Sequence, residues 1–285
     1  MRPRDDRSTT RREAIAAAFS TAGALALGGR ARAVADDDAP KKASYGPFKM
    51  GIQSYSLRHY KLSEALDKTR QLGLHYWESF NAHIPVAPEK SESFQYSATL
   101  AKKLGVDVIG YGVVGFTKDH AKNEQLFKFA KAFGIRYLSC DPDPDSFDSL
   151  DKLVAEYGIP VGIHNHGPGH RYAKIDTIAE AIKGHHEKIG CCIDTGHFLR
   201  SREDPVRAAE VFGKRIYGVH LKDVKDAKTF TVLGRGDLRT ADLLKVLAGL
   251  KYDDCLALEY EENEQDPIPD IRACLEAVQK AARGL

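Results

Sequence analysis

Four apolar runs in the second half of the chain each end in a side chain able to bind a metal. Val161-Gly162-Ile163 leads to His164, Cys191-Cys192-Ile193 to Asp194, Tyr217-Gly218-Val219 to His220, and Leu256-Ala257-Leu258 to Glu259. Two imidazoles and two carboxylates make a mixed nitrogen and oxygen donor set that suits manganese, cobalt or zinc and is less typical of magnesium or calcium alone. An isolated histidine at such a position reads best as a polar group on a rim; four at equivalent positions read as a site. A divalent metal stabilises the negative charge that develops when a proton leaves a carbon beside a carbonyl. That chemistry also needs a positioned base, for which Glu259, His166 and His164 are the candidates.

Other side chains group around these four. Lys222 follows His220 by two residues, so strand alternation sends both to one side. Its ammonium can hold a substrate hydroxyl or oxyanion, or pair with Asp223 or Glu261. His197, three residues after Asp194, is placed to touch substrate or a metal-bound water, or to orient a ligand. Glu78, after Tyr76-Trp77, can hydrogen-bond substrate or orient a ligand histidine, while Trp77 reads as core. Glu261 and Arg235, the latter in Gly234-Arg235-Gly236-Asp237, complete the expected substrate contacts, although a loop arginine is commonly only solvated. His59 and His185-His186 have no matching partners and receive no role.

Positioning such groups requires repeated βα units, and the chain alternates short apolar runs with stretches of helical periodicity. Strands are expected around 48–54, 75–79, 106–112, 137–140, 160–164, 190–194, 216–222 and 255–259. Helices are expected over 62–72 and 124–133, with Gly73 and Gly134 as stops and similar stops at Gly105 and Gly158. Eight such units predict a single (β/α)8 barrel over residues 45–285, in which the C-terminal strand ends open on one face and bring scattered ligands together. A doubly wound open sheet is the alternative, but no glycine-rich phosphate loop follows the first strand.

The 285 residues and 42% hydrophobic content allow one large core. A net charge of +2 and the lack of a basic stripe argue against a nucleic-acid partner or membrane surface. Residues 1–35 read as a cleavable signal: Arg11-Arg12 precedes the small, apolar Ala14 to Leu27 stretch, and Ala33-Val34-Ala35 follows. The segment resembles a twin-arginine export signal, which implies a folded, exported, periplasmic protein. Residues 36–44 read as a polar linker. The five cysteines have no regular framework and no CxxC pair, so burial is expected rather than disulfides or thiolate zinc.

The runs Ile163-His164-Asn165-His166-Gly167, Cys192-Ile193-Asp194-Thr195-Gly196-His197, Val219-His220-Leu221-Lys222-Asp223 and Leu258-Glu259-Tyr260-Glu261 resemble, in order and spacing, the strand ends of the xylose-isomerase-like barrel family. The resemblance spans the chain after the leader and is specific from Pro160 to Glu261. It implies a TIM barrel, a divalent metal, and sugar isomerase or epimerase chemistry on a keto-sugar or polyol. Most of these relatives carry a glutamate where this chain has His164; in the epimerases it pairs with the one matching Glu259 across the substrate. The His-Asn-His pattern looks more like the inosose-dehydratase branch, making a dehydratase or lyase the close rival. Abasic-site endonucleases share some motifs, but their further histidines on early strands and their Asp-x-His element are missing here. The non-enzyme reading is a metal-free sugar-binding barrel; no feature of the sequence sets the oligomeric state.

Overall fold

A computed structural model describes residues 44–285. The expected signal segment, residues 1–35, and the linker through residue 43 lie outside the described residues. Ten strands follow in chain order: β1 Lys49–Gln53, β2 Tyr76–Ser79, β3 Asp107–Phe116, β4 Tyr137–Pro142, β5 Val161–His164, β6 Ile189–Asp194, β7 Ile216–Leu221, β8 Asp223–Lys225, β9 Thr229–Thr231 and β10 Cys255–Leu258. Eight of them close a parallel barrel in the order β1-β10-β7-β6-β5-β4-β3-β2. The expected (β/α)8 barrel is therefore the fold, with the antiparallel β8-β9 hairpin added after the seventh barrel strand.

The helices form where amphipathic stripes meet proper end signals. Leu62–Gln71 buries Ala65 and Leu66 against the barrel, and Glu92–Leu104 is capped by Ser91 Oγ, which accepts the Phe94 N–H at 3.3 Å. Helix His120–Phe133 begins four residues before the expected start, because Asp119 caps it by accepting the Lys122 N–H at 3.1 Å. Strand β3 also runs longer than expected. Its register against β4 shifts between Tyr111 and Val114, so pairing resumes beyond Gly112. Such local pairing irregularities leave little trace in apolar periodicity.

Between sheet and helices lies a continuous core that includes Trp77, Leu66, Phe127, Leu153, Phe198, Leu244 and Val278. Inside the barrel, Ile109, Tyr137, Cys255 and Ala257 make a separate apolar cluster. All five cysteines are buried and unpaired, and burial raises their thiol pKa values. Among the described residues no helix is long and apolar enough to cross a membrane.

Candidate metal centre and active site

The strand ends bring the four expected ligands together. His164 Nε2, Asp194 Oδ2, His220 Nδ1 and Glu259 Oε2 point at one small volume, although the residues lie up to 95 positions apart in sequence (259 − 164). His164 Nε2 is 3.1 Å from His220 Nδ1 and 3.4 Å from Asp194 Oδ2, and His220 Nδ1 is 3.1 Å from Glu259 Oε2. Metal bonds of about 2.0–2.2 Å at tetrahedral angles set ligand atoms roughly 3.3–3.6 Å apart, and the separations here lie close to that, so small shifts would suit an ion. Asp194 Oδ2 and Glu259 Oε2 are buried without a hydrogen-bond partner, although the Lys222 ammonium lies 3.0 Å from each. Those contacts are ion pairs without hydrogen-bond alignment, and two such under-satisfied carboxylate oxygens are what a cation would complete.

The residues between the ligands fix this geometry. Asn165 bridges β5 to β6: its Nδ2 donates to the Asp194 carbonyl and its Oδ1 accepts the Asp194 N–H, both at 2.8 Å. Asp194 Oδ1 caps helix Thr195–Arg200 by accepting the His197 N–H at 2.7 Å, which leaves Oδ2 for the cluster. Thr195 Oγ1 donates to the Lys222 carbonyl at 2.6 Å and accepts the Lys222 N–H at 2.8 Å. A side chain at Gly196 would put its Cβ 2.8 Å from Lys222 Cγ, so glycine lets the lysine stem lie across the helix start.

Beneath the cluster sits Glu78, wholly buried. Its Oε1 accepts from His220 Nε2 at 2.8 Å and from Gln53 Nε2 at 3.0 Å, and Ser139 and Tyr137 hydroxyls donate to the carboxylate at 2.5 Å each. Burial alone would raise its pKa, but His220 and these hydrogen bonds hold it below the usual carboxylate value. Glu78 is thus placed in the second of its two expected roles, orienting the candidate ligand His220, and its burial closes it off from the first, a contact with substrate. In a neutral His220 it would fix the proton on Nε2 and leave Nδ1 free for an ion.

The electrostatics keep both the acids and the lysine of this cluster charged. Burial disfavours charge on Lys222, yet Asp194, Glu259 and Glu261 raise its pKa and keep it an ammonium. Burial opposes ionisation of Glu259 as well, but Lys222 and His220 bring it down to about 2. Lys222 also pairs directly with Glu261; Asp223 takes no part. Burial works against charge on His220 too, but Cys192, Glu78 and Glu259 outweigh it, so without an ion the ring holds a proton that a metal must displace.

Above the cluster opens a pocket of roughly 280 Å³, into which His164, His166, His197, Lys222, Glu259 and Glu261 face. Burial and the neighbouring imidazoles lower His166 to about 3; burial lowers His197 to about 4, with Lys222 and His164 adding to it. Both rings are neutral at ordinary pH. Arg200 Nη1 donates to His197 Nδ1 at 3.3 Å, leaving Nε2–H as that ring's donor. Tyr55, Phe80, Asn81 and Val113 form the rest of the mouth and were not legible as site residues. Tyr55 lies in the short 3-10 turn Ser54–Leu57, Val113 in β3, and Phe80 and Asn81 just after β2, and none carries a metal-ligand or charged signature. A larger groove of about 610 Å³, between Val86, Phe129 and Tyr157, shares no residue with this pocket.

Arg235 does not join it, contrary to expectation. Its loop instead wraps the Asp223 carboxylate, which accepts the N–H groups of Gly234, Gly236 and Leu238 at 2.9–3.0 Å, and Arg235 is exposed. A Cβ on Gly236 would lie 2.4 Å from Asp223 Oδ1, so the glycine there serves the turn.

Comparison with known proteins agrees with this fold. The profile described as xylose isomerase-like TIM barrel matches residues 66–280. An inosose dehydratase of Clostridium botulinum is 29% identical over 267 residues, covering 81% of this chain and 87% of that one. Among solved structures, an uncharacterized protein of Parabacteroides distasonis matches with a TM-score of 0.64 at 28% identity, covering 82% of this chain and 99% of the other. The 3-keto-D-glucoside 4-epimerase of E. coli matches with a TM-score of 0.65 over 82% of this chain and 99% of its own; at 15% identity that is a likeness of fold alone.

Proposed function

Because the chain belongs to the xylose isomerase-like TIM-barrel family, we propose that it is a metal-dependent enzyme that takes a proton from the carbon beside the carbonyl of a keto-sugar, keto-glycoside or inosose and expels the oxygen substituent on the next carbon. The observation that carries this reading is the convergence of His164, Asp194, His220 and Glu259 under an open pocket. Those four residues would hold the ion, and manganese, cobalt or zinc all suit the donor set. A bound ion supplies Lewis-acid polarisation of the substrate carbonyl.

The remaining steps fall to side chains on the pocket wall. Glu259, kept ionised by Lys222 and His220, accepts the carbon-bound proton. The electron pair moves to the carbonyl oxygen, where the Lys222 ammonium steadies the oxyanion. Its return breaks the neighbouring C–O bond. The proton that Glu259 took passes to the leaving oxygen, relayed by the N–H groups of the neutral His166 and His197 rings, so that water or an alcohol departs, Glu259 is again ionised and no net redox change occurs.

Isomerisation or epimerisation shares the first half and returns the proton to carbon. A second glutamate opposite Glu259 would serve that outcome, but His164 stands in that position, and the inosose dehydratase relative supports elimination. The Arg11-Arg12 segment supports an exported, periplasmic enzyme, for which free keto-sugars and glycosides are the fitting substrates.

The test is proton NMR of keto-sugars, ketoses and inososes incubated with the protein in deuterium oxide, with and without added metal. Metal-dependent deuterium uptake beside the carbonyl with loss of water or alcohol supports the proposal. Uptake with a rearranged sugar would place the enzyme among isomerases or epimerases. Ligand affinity that survives chelation, without exchange, would point to a sugar-binding barrel.

A further inference from the structure

A second group of metal-binding side chains lies beyond the first. Asp141 at the end of β4, and His166 and His170 in the segment after β5, offer ligand atoms that all lie within 4.8 Å of one another. His170 Nε2 is 3.3 Å and His166 Nε2 is 3.8 Å from Asp141 Oδ2, and the two imidazole centroids are 4.3 Å apart. All three side chains are about one-third exposed, at 31–35%.

The segment carrying the histidines is tied over the end of β4. Arg171 Nη1 and Tyr172 Oη both donate to the Pro142 carbonyl, at 3.1 and 2.9 Å. Arg171 lies 3.5 Å from Asp143, so Asp141 keeps its carboxylate for the two imidazoles. The rings also continue the inner cluster: His166 packs on His164 with centroids 4.7 Å apart, and His164 on His220 at 4.9 Å.

We propose that Asp141, His166 and His170 form an outer site for a second divalent cation, of the zinc or cobalt class, beside the inner centre. Two imidazoles and one carboxylate, about one-third exposed, are a three-ligand set that leaves a coordination position for water or a substrate oxygen. The Tyr172 N–H now donates to His170 Nδ1 at 3.3 Å, so His170 must exchange that long hydrogen bond for the metal bond. A single such hydrogen bond contributes little net stability and is readily exchanged for coordination to a divalent ion. Coordination through Nε2 also fixes the His166 proton on Nδ1, the donor it then presents for proton transfer. The outer site shares His166 with the reaction assigned above, and its metal stoichiometry is read without that reaction.

The test is metal stoichiometry of the whole protein by zinc or cobalt titration and elemental analysis, in wild type, His170→Ala, Asp141→Asn and Asp194→Ala. Two equivalents in wild type, with one lost in His170→Ala and Asp141→Asn and the other lost in Asp194→Ala, is the expected result. The visible spectrum of the cobalt form should change in each variant as its own site empties. Thermal melting of the metal-free forms checks that the variants fold, and Asp141→Asn retains the side-chain shape should His170→Ala unfold. One equivalent in wild type that persists in both outer variants overturns the proposal and leaves a surface His–Asp pair only. One equivalent that persists in Asp194→Ala but not in His170→Ala fails the inner assignment while the outer one stands.

Discussion

Glu78 Oε1 accepts a hydrogen bond from His220 Nε2 at 2.8 Å, and neither side chain is exposed to solvent. This buried contact determines which ring nitrogen faces the metal cluster, so a residue closed off from substrate sets the chemistry of the site. Replacing Glu78 with glutamine should weaken metal binding about 10- to 100-fold, measured by competition with a chromogenic chelator. Unchanged affinity would mean that packing alone orients His220.

Asp194, a proposed ligand of the inner ion, also caps helix Thr195–Arg200. Asp194→Ala should therefore lose inner-site metal and turnover together, and the metal-free protein should lose about 0.5–2 kcal/mol of stability from the missing cap. Inner-site metal retained in this variant, read from the cobalt spectrum and from a protein with the outer ligands removed, would overturn the ligand assignment.

Metal binding should weaken as pH falls. Burial opposes charge on His220, but Cys192, Glu78 and Glu259 raise its pKa well above the ordinary value, so the ion competes with a proton on that ring. Zinc titrations across a pH series should give lower affinity at acid pH and proton release on binding. Binding without proton release would show that His220 is already neutral.

Lys222 should govern the acid stability of the metal-free protein. Its charge, with that of His220, outweighs burial and brings Glu259 down to about 2, whereas an unfolded glutamate titrates near about 4.3. Because the folded value is the lower one, the stabilisation is fully present above the unfolded pKa and is lost as pH falls through the folded one. Lys222→Met removes that support, so the acid-unfolding midpoint, followed by circular dichroism, should move to higher pH. No movement would show that His220 suffices.

Arg235 and Gly236 should separate cleanly. Arg235→Ala leaves the Asp223 turn intact and should change turnover less than twofold. Gly236→Ala drives a Cβ to within 2.4 Å of Asp223 Oδ1, so it should lower the melting temperature. A large rise in KM for Arg235→Ala would restore that residue to the substrate site.

Much of this protein was legible from residue order alone. The period of the apolar runs specifies repeated βα units, because a strand buried on both faces and a helix buried on one stripe have different repeats. The glycines after helices mark stops that the backbone obeys: Gly105, Gly134 and Gly158 all adopt the left-handed conformation that ends a helix. The recurrence of His164, Asp194, His220 and Glu259 at strand ends carries the candidate ligand set, since a closed parallel barrel has only one C-terminal face on which they can meet.

Tertiary structure decided what each neighbouring side chain does. Glu78 and Arg235 were both expected to touch substrate; barrel closure buries the first beneath His220, and the Asp223 turn carries the second away from the pocket. Asp141 on β4 meets His166 and His170 where Arg171 and Tyr172 tie the segment after β5 to the Pro142 carbonyl. Spacing along the chain does not encode these outcomes. They depend on which carbonyls and carboxylates the folded neighbours leave unpaired, and hydrogen-bond demand of that kind exists only once the strands are side by side.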